Sequence, residues 1–178
     1  MTPREPATRK ARWRKALLAG VGIGVAALGF LTWYGFHYSM NVTRSFEVTG
    51  SPSGPSVLIA SQGSDFKDAV VAGLVEHLKR RSAYVKVIDV SALPGIQETR
   101  WDAMVVIHTW EMRKPPAAVR VFVERVRNRD KLLVLTTSGA GDFKMEGVDA
   151  ISTASKMVDV PARVAEMAKR VDAILDAE

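Results

Sequence analysis

The sequence predicts an α/β domain, a three-layer sandwich built on a mainly parallel sheet, carried behind one transmembrane helix. Three observations predict it. The stretch from Ala16 to Thr43 holds no charged side chain. Beyond it, four short runs rich in β-branched and aliphatic residues recur, at Val57 to Ser61, Tyr84 to Val90, Ala103 to Thr109 and Leu132 to Ser138. Between them, apolar residues return every three or four positions, the spacing of one buried helix face. Near-continuous apolar strands separated by crossover helices are the pattern of a parallel sheet covered on both sides.

The first element is the span. Residues 1–15 hold six basic side chains (Arg4, Arg9, Lys10, Arg12, Arg14, Lys15) against one acid, Glu5. Of 25 basic and 19 acidic residues overall, that leaves 19 and 18 for the other 163 positions. The net charge of +6 therefore belongs to the N-terminal segment, and the domain lacks the basic stripe that nucleic-acid binding requires. The apolar run Ala16 to Phe36 has 21 residues, enough at about 1.5 Å each to cross a hydrocarbon core of about 30 Å. Trp13 precedes it and Trp33, Tyr34 and Tyr38 close it, as interfacial aromatic residues do. The positive-inside rule puts residues 1–15 in the cytoplasm and the domain outside the cell membrane, with the helix as an uncleaved signal-anchor. A cleaved signal peptide is the competing reading, but its apolar region is usually shorter and ends at a small-residue site. Gly20 and Gly24 form a GxxxG spacing, through which two such helices could pair as a homodimer.

Residues 37–56 read as a juxtamembrane segment and linker, because Gly50-Ser51-Pro52-Ser53-Gly54-Pro55-Ser56 has the composition of a turn-rich tether. The domain then covers 57–178. Its first helix carries the stripe Phe66, Ala69, Val70, Gly73, Leu74, His77 and Leu78, and its second Val119, Phe122, Val123 and Val126. A fifth strand is expected near Val148 to Ser152. Only Gly139 to Gly147 separates it from the fourth, short for a parallel crossover, so this connection either lacks its helix or leads to an edge strand. The last helix, Val160 to Asp176, has Asp159 at its N-cap position and Pro161 in its first turn.

Cysteine is absent, which excludes disulfides and thiolate chemistry. His37, His77 and His108 show no HxH or HExxH spacing, so no metal site is expected. Ser61, His108 and Asp142 could be imagined as a hydrolytic trio, although no G-x-S-x-G elbow marks a nucleophile.

The run Val57-Leu58-Ile59-Ala60-Ser61-Gln62-Gly63-Ser64-Asp65-Phe66 resembles the first strand and phosphate loop of flavodoxin-like proteins. So do Val85 to Val90, Trp101 to Ile107, and Leu133 through Ser138-Gly139-Ala140-Gly141-Asp142. The resemblance implies the strand order 2-1-3-4-5, with FMN held outside the carboxyl ends of the strands at the switch point. It implies a site drawn from Ser61, Gly63, Ser64, Trp110, Ser138, Gly139, Gly141 and Asp142, with Trp110 and Phe143 beside the ring, and electron transfer to an unidentified protein partner. The phosphate loop departs from the family pattern S/T-x-T-G-x-T: it is one residue shorter, and Asp65 stands where the last Thr belongs. A carboxylate repels a phosphate, whereas it suits the first turn of an empty helix. A second reading follows, a flavodoxin-like scaffold without flavin that serves as an interaction or assembly module in the cell envelope.

Overall fold

The computed structural model describes residues 7–38, 41–111 and 114–177. Arg4 and Glu5, Arg113, and the side chains of Arg9, Lys10, Arg12, Trp33, Tyr34 and Tyr38 lie outside the described residues. The chain divides into two compact units, Met1–Ser39 and Met40–Glu178.

The first unit is one helix, α1 (Ala7–Tyr38). Its stretch Trp13–Thr32 is long and apolar enough to cross a membrane, and none of it is buried. Leu17, Leu18, Ile23, Val25, Leu28 and Leu31 are all exposed. The hydroxyl of Thr32 donates to the Leu28 carbonyl at 2.8 Å, which satisfies it within the helix.

The second unit contains β1 (Asn41–Val42), β2 (Phe46–Val48), β3 (Ser56–Gly63), α2 (Asp65–Arg80), β4 (Tyr84–Asp89), β5 (Ala103–Thr109), α3 (Ala117–Arg125), β6 (Leu132–Thr137), β7 (Asp149–Thr153) and α4 (Val160–Asp176). The sheet order is β2-β4-β3-β5-β6-β7. The five strands β3 to β7 pair in parallel, and numbered among themselves they run 2-1-3-4-5, the expected order. Alternate residues of each strand feed two cores. Val57, Ile59, Val105, Ile107, Leu133 and Leu135 pack under α2 and α4, while Leu58, Ala60, Met104, Val106 and Val134 pack under α3.

The second face is more thinly covered than the expected sandwich. The β4–β5 crossover has two 3-10 turns, Val90–Gly95 and Glu98–Arg100, in place of an α-helix. Pro94 and Gly95 stop a longer one. The Arg125 guanidinium at the end of α3 staples this crossover, donating to the carbonyls of Leu93, Pro94 and Ile96 at 2.7, 3.0 and 2.8 Å. The β6–β7 connection has no helix, and β7 is the edge strand.

The start of the second unit differs from the reading of the sequence. The compact unit starts at Met40, not Val57, because β1 pairs antiparallel with the end of β3 and β2 with β4. The glycine-rich stretch between them is packed instead of loose. Ser51 N–H donates to the Ser82 carbonyl at 2.8 Å, and a Cβ on Gly50 or Gly54 would meet Ser82 O at 2.3 or 2.2 Å. Asp159 does occupy the N-cap position of α4, but its side chain makes no capping hydrogen bond.

Candidate functional site

The carboxyl ends of β3, β5, β6 and β7 are rich in hydroxyls: Ser61, Thr109, Thr136, Thr137, Ser138, Ser152 and Thr153. The pleat sends Thr109 and Thr137 to the α2/α4 face, where a cleft of about 590 Å³ opens. It is lined by Ser64, Asp65, Phe66 and Lys67 of the β3–α2 junction, by Thr109, Thr137, Ser138 and Gly139, and by residues 154–157. Ser64 caps α2, its hydroxyl accepting from Lys67 N–H at 3.4 Å, and Asp65 and Asp68 occupy the first turn.

At the floor of the cleft lies Lys67, only 1 % exposed. Its ammonium donates to Thr109 Oγ1 at 2.9 Å, and Thr109 Oγ1 lies 2.8 Å from Thr137 Oγ1. Burial pushes the Lys67 pKa down to about 8, against the opposing pull of Asp68 and Glu111. His108, on the opposite face of β5, is fully buried and pushed down to about 4, mainly by burial and further by Lys67. It is neutral near pH 7. Its Nδ1 lies 3.3 Å from the Thr109 carbonyl and its Nε2 3.4 Å from Thr136 Oγ1, so Nδ1 donates and Nε2 accepts. Gln62 ties the strand ends together: its Oε1 accepts from Thr109 N–H at 2.6 Å and its Nε2 donates to Glu111 at 3.0 Å.

The expected site residues divide into four groups, of which one lines the cleft. Ser64, Ser138 and Gly139 line the cleft. Ser61 and Gly63 lie within β3, where Ser61 donates to the Gln62 carbonyl at 3.1 Å and Gly63 is in register with Asn41 of β1. Gly141 and Asp142 belong to a turn closed on itself: Ser138 Oγ accepts from the N–H groups of both, at 2.9 and 3.2 Å. Gly141 has φ +75°, and a Cβ there would meet Ala154 N at 2.6 Å, so its glycine serves close packing against the end of β7. Trp110 stacks on Phe143, with centroids 5.2 Å apart and planes 24° apart. Ser61, His108 and Asp142 are each hydrogen-bonded elsewhere and form no trio.

Lys67 and Thr137 were missed. Their signal was in the sequence: Lys67 falls on the stripe of Val70, Val71, Leu74 and Leu78, and a cation in a first turn opposes the helix dipole.

No family model matches the chain, and no curated protein matches it. Solved structures do. The flavodiiron core of Flv1 from Synechocystis sp. PCC6803 superposes with a TM-score of 0.50 at 9 % identity, over 73 % of this chain and 38 % of that one. The unit Met40–Glu178 has a flavodoxin-like fold. An oxidoreductase from Corynebacterium diphtheriae (TM-score 0.46, 13 % identity, 70 % of this chain and 98 % of that one) also matches. So does the flavodoxin, WrbA-like protein from Agrobacterium tumefaciens (0.45, 12 %, 71 % and 100 %). In this flavodoxin-like frame the cleft lies outside the carboxyl ends of the strands, beside β3 and β5, where the strand order reverses.

Proposed function

We propose that this chain is a membrane-tethered flavodoxin-like module that binds FMN and passes electrons to a protein partner. The observation that carries the reading is the cleft at the switch point, where a buried cation and several hydroxyls meet the start of α2. That donor set suits a phosphate: Lys67 supplies charge, and Ser64, Thr109, Thr137 and Ser138 supply hydroxyls. Asp65 is exposed at the mouth, where solvent weakens its repulsion of an anion. Trp110 and Phe143 are the aromatic pair available to a planar ring. Bound FMN would supply one- and two-electron chemistry, and the chain would hold it and exclude water. α1 is the anchor, with residues 1–15 cytoplasmic and the domain beyond the membrane.

One observation favours a second reading, a scaffold without flavin that acts as an envelope interaction module. Trp110 and Phe143 stack directly on each other, which leaves no gap for a ring between them.

Full-length protein purified in detergent decides between the readings. A flavin absorbance spectrum, or saturable quenching of added FMN fluorescence at micromolar protein, supports the first. A folded, colourless chain that leaves FMN fluorescence unchanged refutes it. The tether is tested separately: resistance of the chain to alkaline extraction supports a spanning α1, and release refutes it.

A further inference from the structure

We propose that the carboxyl end of the sheet docks on the lipid bilayer, with Val42 near one edge and Met157 and Val158 near the other set into the headgroup layer. Docking presupposes that α1 is a membrane anchor, as proposed above. Among the described residues of the second unit, the most exposed large apolar side chains are Val158 at 82 %, Val42 at 80 % and Met157 at 55 %. All three belong to one end of the fold. Val42 is in register with Gln62, the next-to-last residue of β3, on the β4 side, where Thr43 N–H donates to Asp89 at 2.9 Å. Met157 and Val158 begin the 3-10 turn Met157–Asp159, which follows the edge strand β7. The ends of β3, β5 and β6 lie between these points, and Met157 also lines the cleft. Exposed apolar residues gathered at one end of a fold mark a surface that meets something less polar than water.

The course of the chain selects lipid as the occupant. Only Ser39 and Met40 stand between Tyr38, the last residue of α1, and Asn41, the first of β1. Three peptide steps reach at most about 11 Å. A chain that leaves a bilayer by α1 therefore enters the fold at its carboxyl end, which stays close to the headgroups. So short a connection keeps the effective concentration of the surface high, and a few apolar side chains suffice to hold the contact. Arg44 after Val42 and Lys156 before Met157 are both exposed, on stems long enough to leave their charge among the headgroups. The exposed carboxylates Asp65, Glu111 and Asp142 at the same end offset them, so apolar insertion carries the contact more than lipid charge does. Docking sets the mouth of the cleft beside the headgroups, which gives a ligand or redox partner held in the bilayer the shortest approach.

The chain has no cysteine, so introduced cysteines report on single positions without background. Val42→Cys, Val158→Cys, Val121→Cys on the exposed side of α3 and Leu28→Cys in α1 are made in the full-length chain, spin-labelled, and placed one chain per nanodisc of phosphatidylcholine and phosphatidylglycerol. Collision of each label with oxygen, which concentrates in lipid, is compared with collision with a water-soluble nickel chelate. The labels at 42 and 158 are expected to lose nickel collisions and gain oxygen collisions relative to the label at 121, and the label at 28 to do so most. Adding Val42→Asp, at a position that is 80 % exposed, should return the label at 158 to the level seen at 121, with near-UV circular dichroism verifying the fold. No change at 158 on that substitution overturns the two-point contact. Labels at 42 and 158 as hydrated as the one at 121 overturn the docking, while a shielded label at 28 leaves the anchor standing. Shielding from both reagents at 42 or 158 means that protein covers the surface, and overturns it as well. A hydrated label at 28 removes the anchor and the docking together.

Discussion

Replacing Lys67 by Met removes a buried ammonium while keeping an unbranched side chain of similar volume. In the folded chain the Lys67 pKa is about 8, against an ordinary 10.5. That gap corresponds to about 3 kcal/mol. The sign follows from which state holds the proton more tightly. Below pH 8 both states carry it and the burial cost is present in full. Between 8 and 10.5 the unfolded chain is protonated and the folded chain is not, so stability rises with pH; above 10.5 neither holds it. Wild type should therefore gain about 3 kcal/mol on Lys67→Met between pH 7 and pH 11, other titrations being common to both. The assay is urea unfolding of both proteins across that range, in one lipid system, followed by near-UV circular dichroism. Parallel pH profiles would refute the reasoning, because they would mean that the ammonium remains hydrated in the folded state.

Further substitutions test the packing of the second unit by the same denaturation assay. Gly141→Ala places a Cβ 2.6 Å from Ala154 N at φ +75° and should cost about 2 kcal/mol or more, whereas Gly139→Ala, with open space around it, should be close to neutral. Gly73→Ala sets a Cβ 2.7 Å from Val164 Cγ2, and should destabilise the α2–α4 contact by about 1 to 3 kcal/mol. Adding Val164→Ala should restore part of that loss, and strict additivity of the two changes would count against the contact. Gln62→Leu leaves Thr109 N–H without its 2.6 Å acceptor; a loss of about 1 to 3 kcal/mol is expected, together with faster hydrogen exchange at Thr109.

The long elements were legible and the short ones were not, for physical reasons. β5 and α4 span the residues expected from their sequence, because β5 is apolar on both faces and α4 has a clear amphipathic stripe with Pro161 in its first turn. β1 and β2 have two and three residues, too few to show a period. They form because β3 runs past its neighbours to Gly63 and because the free edge of β4 offers unpaired backbone groups. In the site, Ser64 was readable as a hydroxyl before a helix. The Gly-x-Gly-Asp turn was readable as a loop, but not its use: Ser138 and Ala154 bind it to the fold, which leaves Gly141 N–H and Asp142 N–H already engaged. Lys67 was overlooked because lysines on helices are usually solvated, and only its place on the buried stripe says otherwise.

The aromatic stack and the buried lysine bear on the ligand with different weights. Parting Trp110 from Phe143 forfeits about 0.5 to 1.5 kcal/mol of ring interaction, which lowers the affinity for an inserted ring by about tenfold at most. A ring that enters also restores a contact to each face. Trp110 Nε1 is buried with no hydrogen-bond partner among the described residues, so the closed pair carries a polar cost that opening relieves. The stack thus sets a small threshold and cannot by itself exclude a flavin. Lys67 works in the other direction and on a larger scale: its burial costs about 3 kcal/mol below pH 8, and an anion beside it returns much of that. The ligand that gains most from this cleft is one whose charge is concentrated at Lys67. A phosphate-bearing ligand without a ring should then bind in the closed form and leave the Trp110 fluorescence unchanged, while FMN should quench it by forcing the pair apart.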